Sequence, residues 1–244
     1  MPMKDINQTI VRYGLKKLKN TQRVSMQLFK KHINKDILDE VDIGFAIAPI
    51  LNSAGRLKDA SKSVEFLLSN DIQKSQEMFD DLVQLNNLRK TIQQDTFKNT
   101  INDISKDDDV IVVANKSYHE GVIGIVASKL SETFNKPAFV FSIKDDIAKG
   151  SARTSGDIDL YSLIDQVKSS TKGFGGHKGA AGVVVKLNQL DEFKQKINKA
   201  MTNQRYDTKK TKRKYLMKLT IDDIDKELFD IVQKFRENSS KVSI

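Results

Sequence analysis

The stretch Gly173-Phe174-Gly175-Gly176-His177-Lys178-Gly179-Ala180-Ala181-Gly182-Val183-Val184-Val185 holds five of the chain's twelve glycines and one of its three histidines. Glycine enters φ > 0 freely and lets backbone approach another group closely, and elsewhere it costs conformational entropy. Its density here reads as a loop that touches something and then leads into a strand over residues 182–187. Backbone N–H groups, an imidazole and an ammonium offered together suit a phosphate or phosphodiester. A tight turn between closely packed backbones would use the same glycines, and this stretch alone leaves both readings open.

Outward from the loop, the pattern is that of an α/β domain. Val110-Ile111-Val112-Val113-Ala114 is a β-branched run of buried-strand composition, residues 137–142 make a second strand and residues 148–153 a short polar third. Helical spacing of apolar residues covers 122–134, 159–168 and 189–201. Strand, helix, strand, strand, helix, strand, helix predicts a mixed sheet. Two further loops share the chemistry of the first. Tyr118-His119-Glu120-Gly121 precedes a helix whose N-terminus attracts anions, and Gly150-Ser151-Ala152-Arg153 supplies a hydroxyl and a guanidinium. Brought to one edge of the sheet, the three loops would make a cationic, donor-rich site without paired carboxylates. Such a site binds phosphates, whereas hydrolysis needs acidic metal ligands or another source of activated water.

Upstream, residues 7–40 read as helices. In Asp42 to Leu57, Pro49 disfavours helix at Ala48, and Gly55 offers a turn that would carry Arg56 as a bidentate fork for phosphate or carboxylate. A surface arginine in an ordinary salt bridge fits that local sequence equally well. No glycine or proline occurs between Leu57 and Glu120, and one apolar stripe from Met78 to Ile104 predicts a helix of roughly eight turns over 72–104, the length of a connector between domains. Arg89 and Lys90 on it read as a solvated face. Downstream, the segment Arg205 to Lys218 has seven basic residues and one acid, a block that fits nucleic-acid phosphates or a basic linker. Residues 215–221 then alternate as a strand does, and 222–235 read as a helix.

The formal net charge is +9, and the chain contains no cysteine. A disulfide framework and a thiolate metal site are thereby excluded, and zinc is disfavoured with only His32, His119 and His177 available. No apolar run approaches the roughly 18 residues of a membrane span, which points to a cytoplasmic protein without membrane contact.

Gly175-Gly176-His177-Lys178-Gly179-Ala180-Ala181-Gly182 resembles the GGHxxAAG motif of the DHH-associated domain. Tyr118 to Ser128, Gly150 to Thr154, Asp159 to Tyr161, Pro49 to Leu57 and Leu85 to Arg89 are similar, in the same order, to segments of the RecJ family of single-strand-specific 5′→3′ DNA exonucleases within the DHH phosphoesterase superfamily. The resemblance implies a helical remnant of the DHH domain over 1–71, a connector helix over 72–106, the DHH-associated α/β domain over 107–203, and a basic linker with the start of an OB-like unit over 204–244. It also implies that Arg56, His119, Ser151, Arg153, Gly175, Gly176 and His177 contact the DNA backbone or the scissile phosphate. Ile50 stands where the family often has a basic residue, and Tyr118 where it often has tryptophan. The aspartates and Asp-His-His triplet that hold Mn2+ or Mg2+ in the family have no counterpart here. The chain alone is therefore expected to be inactive and to bind single-stranded DNA, with a single-strand-binding protein as partner of the intact enzyme. The alternative is part of a related DHH phosphoesterase acting on cyclic dinucleotides or oligoribonucleotides, because the associated domain is shared.

Overall fold

The computed structural model describes residues 5–105, 107–203 and 218–238. Its described residues fall into two compact units, the first within Met1–Asn52, Ser61–Val83 and Lys212–Ile244, the second within Ser53–Ala60 and Gln84–Thr211.

The first unit is helical. α1 (Asp5–Lys19) begins on an acid and ends on three lysines, the charge order that complements a helix dipole. α2 (Val24–Ile33) stops at Asn34, which takes the left-handed conformation at φ 58° and returns its N–H to the Lys30 and Lys31 carbonyls. α3 (Glu40–Asp42) starts with a capping box in which the Asp39 and Asp42 side chains each accept the other residue's N–H, and Lys35 Nζ donates to Asp42 at 2.7 Å. α5 (Ser61–Leu68) also lies in this unit, whereas α4 (Ala48–Leu57) and the 31-residue α6 (Ile72–Asn102) belong to it only up to Asn52 and Val83 and continue as parts of the second unit. Phe29, Phe66 and Phe79 form the aromatic centre of the unit, with ring centroids 5.1–5.8 Å apart.

Residues 40–57 differ from the turn expected there. The chain stays helical through Pro49 because a π turn at Ile43–Ile47 precedes it, and Ala48 N–H donates to the carbonyl five residues back, at Ile43. Proline in a regular helix clashes with the carbonyl four residues earlier; the widened turn and a place in the first turn of α4 relieve that clash. Arg56 therefore sits in the last turn of a helix. Ile50 is core, 4% exposed.

The second unit contains a five-stranded sheet in the order β1-β2-β3-β5-β4: β1 (Ile111–Asn115), β2 (Ala138–Lys144), β3 (Ile147–Arg153), β4 (Gly173–His177) and β5 (Ala180–Lys186). β1 and β2 run parallel, joined through α7 (Glu120–Phe134); every other pairing is antiparallel. Asp145 and Asp146 form the β2–β3 turn, with Asp145 at φ 52°. Alternation along the strands places Phe139, Phe141, Ala148, Ala152, Ala181, Val183 and Val185 in one core with residues of α8 (Leu160–Asp165) and α9 (Leu190–Asn203). Ile111, Val113, Ala138 and Val140 pack with α7 on the opposite face. The glycine stretch differs from the expected loop. Gly173–His177 is the edge strand β4, turning at Lys178–Gly179 into β5, so the sheet has one strand more than composition indicates.

In the last described segment, Lys218–Thr220 carries no regular structure, Ile221–Asp223 is one 3-10 turn and α10 (Lys226–Asn238) is the expected helix. The expected strand at 215–221 thus has no strand residue among those described. Residues 215–217 of it, and the basic block apart from Lys218, lie outside the described residues.

α9 is tied to the start of the sheet by one amide. Asn198 Oδ1 accepts the N–H of fully buried Val110 at 2.8 Å, and its Nδ2 donates to the Val110 carbonyl at 3.2 Å. Replacing Asn198 with Leu strands both backbone groups, at about 1–3 kcal/mol for each buried group left unpaired. Chemical denaturation of the variant is expected to show that loss, and unchanged stability would contradict this role.

Candidate nucleic-acid interface

The register of the sheet aligns the candidate residues. Ser151 of β3 pairs with Gly182 of β5, which pairs with Gly175 of β4; Arg153 pairs with Ala180, which pairs with His177. Alternation turns these residues away from the face that carries Phe139, Ala152 and Ala181. On β4 and β5 this face is open, with Gly175, His177 and Gly182 all exposed. Two sheet spacings, about 10 Å, separate the Arg153 and His177 backbones. The donors therefore form a row rather than a cup.

The glycines of the row divide by cause. Gly176 has φ 149°, and a Cβ on it would lie 2.3 Å from the Ala180 carbonyl oxygen, so hairpin geometry demands glycine. At Gly175 and Gly182 a Cβ would meet nothing within 4 Å. Packing does not require glycine at these two positions, and the result is a strip of bare backbone on the open face.

At the β3 end the row meets the N-terminus of α7. His119 is the N-cap residue, and its Nδ1 accepts the Gly121 N–H at 3.0 Å. Arg56 Nη1 donates to the Gly121 carbonyl at 3.0 Å. The Arg153 guanidinium lies back along its own strand, with Nη1 donating to Ser151 Oγ at 2.9 Å and to the Ala152 carbonyl at 2.7 Å. Burial, and after it the positive charge of Arg56, lowers the Arg153 pKa below the ordinary guanidinium value. Gly124, on the next turn of α7, leaves the room that Arg153 fills, since a Cβ there would lie 3.1 Å from Arg153 Nη2. Glu120, the acid of this helix end, is engaged by Lys149 at 3.3 Å, an exposed pair whose charges offset each other. His177 repeats the His119 arrangement, its Nδ1 accepting the Gly179 N–H at 3.2 Å.

The fold thus gathers Arg56, His119, Ser151 and Arg153 around the first turns of α7, and sets Gly175 and His177 further along the same face. Gly176 shapes the hairpin, with its Cα on the core side of the strand. Tyr118 lies outside the row. It is 2% exposed, and burial, followed by the charge of Asp103, pushes its phenol up to about 12, so it offers no stacking surface. Arg89, read from sequence as a solvated charge, is partly buried and close enough to Arg56 to feel its charge. The signal for it was Asn86 three residues before and Gln93 four residues after, the spacing at which helix side chains meet.

Residues 107–203 match the DHHA1 domain family. The single-stranded-DNA-specific exonuclease RecJ of Bacillus subtilis is 33% identical over 210 residues, covering 83% of this chain and 27% of that protein. RecJ of Dickeya dadantii is 32% identical over 212 residues, 81% of this chain and 37% of that protein. The crystal structure of Thermus thermophilus RecJ with Mg2+ aligns with a TM-score of 0.75 at 26% identity, over 83% of this chain and 32% of that one. An exonuclease RecJ bound to manganese aligns at 0.70 and 26% identity, over 84% and 51%. The chain carries a DHHA1 domain over residues 107–203 and is homologous to these RecJ exonucleases over most of its length. It spans between 27% and 51% of the length of these relatives. Among the described residues no three His, Asp or Glu side chains are placed to hold a metal ion, so these residues do not fit the divalent metal of the RecJ crystal structures.

Because each imidazole accepts a backbone N–H at Nδ1, the proton of the neutral ring is expected on Nε2 in both His119 and His177. Two-bond 1H–15N correlation spectra at pH 8 should show the Nε2–H tautomer for both rings. A dominant Nδ1–H pattern would show that these caps are not formed.

Proposed function

We propose that this chain is the strand-holding part of a RecJ-type 5′→3′ exonuclease acting on single-stranded DNA. The observation that carries the reading is the donor row: cationic and hydrogen-bonding groups at its α7 end, bare glycine backbone along it, and an imidazole at its far end. Phosphates spaced along a chain fit a row, and arginine is the side chain suited to gripping them bidentately. Arg56, Ser151 and Arg153 would take one phosphate beside His119, while Gly175, Gly182 and His177 would take the chain that follows. In this reading residues 1–71 complete the DHH domain, 72–106 connect it, 107–203 hold the strand and 204–244 open an OB-like unit. The intact enzyme is cytoplasmic, with a single-strand-binding protein as partner. Its Mn2+ or Mg2+ would be held by residues other than these and would supply the activated water that phosphodiester cleavage needs. The present residues bind and orient the strand without taking a proton from that water. The extended row favours a polynucleotide over the cyclic dinucleotides or oligoribonucleotides of related phosphoesterases.

Fluorescence anisotropy with a labelled single-stranded oligonucleotide tests this directly. Affinity should fall as salt rises, because phosphate contacts release counterions. Arg56→Gln and Arg153→Gln should each weaken binding about tenfold or more, the scale of a charge-assisted hydrogen bond at about 1.5–3 kcal/mol. Gly182→Val should keep the melting temperature and still lose affinity, since its side chain would fill the strip. Binding indifferent to salt, or unchanged by both arginine substitutions, would sink the proposal. Unlabelled cyclic dinucleotide that displaces the oligonucleotide at equal concentration would favour the small-substrate alternative. The chain alone with Mn2+ is expected to leave the strand intact, and turnover would contradict the proposed division of labour.

A further inference from the structure

Arg89 is held from both sides by neutral amides of its own helix. Nη2 donates to Asn86 Oδ1 at 2.9 Å and Nη1 to Gln93 Oε1 at 2.8 Å, while its Nε is buried without a hydrogen-bond partner. Asn86 is itself buried, which fixes one side of this cradle. None of the ion pairs found among the described residues includes Arg56, Arg89 or Arg153. Burial, and after it the charge of Arg56, lowers the Arg89 pKa, and the same two causes lower that of Arg153. Arg56 thus stands within the field of two other guanidiniums. It is exposed, and its guanidinium is tied by one hydrogen bond, to the Gly121 carbonyl. An arginine placed for stability alone would be paired with a carboxylate or left in water. Arg89 is half-buried and, among the described residues, held by two amides rather than by a carboxylate, and a fixed charge of this kind acts on its neighbours.

We infer that Arg89 is a positioning residue of the phosphate row, its amide-fixed charge holding the Arg56 guanidinium off α6 and over the α7 end of the row, where an anion joins Arg56 to Arg153. The inference rests on the strand-holding reading of that row. Like charges close together cost free energy in the empty site, and a phosphate removes that cost when it binds, so the Arg89 charge contributes to affinity without touching the ligand.

The test measures single-stranded DNA binding by the whole chain, with inorganic tripolyphosphate as a second probe that lacks bases and sugars. Arg89→Gln should weaken binding of both probes at least fivefold. Arg89→Lys should recover most of that loss, because it keeps the charge although an ammonium cannot span both amides as the guanidinium does. In an Arg56→Gln background, Arg89→Gln should have little further effect. Equal losses for the Lys and Gln variants would make Arg89 a packing residue and overturn the inference, as would undiminished binding by Arg89→Gln or full additivity with Arg56→Gln. Binding of tripolyphosphate but not DNA by the unaltered chain would refute the strand-holding reading while leaving the Arg89 pattern measurable. Binding of neither probe would overturn both.

Discussion

At Gly121 two backbones pass so closely that a Cβ would lie 1.9 Å from the Arg56 carbonyl oxygen and 2.8 Å from its carbonyl carbon. The atom that would have to yield is main chain, so no side-chain adjustment could relieve the contact. This one approach brings the end of α4 against the first turn of α7, across 65 residues of sequence, and lets the Arg56 side chain fold back onto the Gly121 carbonyl. The other donors of that end are already local to α7 and β3. Without this approach the site would keep His119, Ser151 and Arg153 and lose the guanidinium that couples them to α6.

Electrostatics then decides what the assembled site can do. Glu120 is engaged by Lys149, and among the described residues no ion pair includes Arg56, Arg89 or Arg153, so their charge at this end of the row is not offset by the described acids. Such an arrangement is unfavourable until an anion arrives, which suits capture and orientation of a phosphate. General base catalysis asks for a group able to take a proton at working pH. The candidate imidazoles are committed at Nδ1 to backbone N–H groups, and arginine does not deprotonate. On the proposed reading the second unit would hold a strand, and among its described residues no three His, Asp or Glu side chains are placed to hold a metal ion.

Much of this was legible in the sequence, and the exceptions have physical causes. The long helix and the order of the α/β elements follow from hydrophobic periodicity, which tertiary context reinforces rather than opposes. Pro49 misled because the usual proline rule assumes a regular helix upstream, and a π turn is invisible to periodicity. The strand at Gly173–His177 was hidden because glycine has poor β-propensity; pairing with the β-branched run of β5, rather than its own composition, makes it a strand. Arg89 was passed over because a charged residue on a long helix is usually solvated, and only the fold reveals that Asn86 is buried beside it. Tyr118, notable in the sequence for standing where the family often has tryptophan, is buried in the core formed by β1, β2 and α7.

The two classes of glycine carry the last step. Gly121 and Gly176 are explained by the chain itself, the one through close approach and the other through positive φ. Gly175 and Gly182 are not, since each faces open space in an extended strand, where glycine weakens the strand and contributes no packing. A bare strip flanked by arginines at one end and an imidazole at the other makes sense if something flat and anionic lies along it. Contacts of that kind reach backbone phosphates and sugars and carry no base identity. The row would therefore read charge and spacing along a bound chain of phosphates and remain indifferent to base sequence.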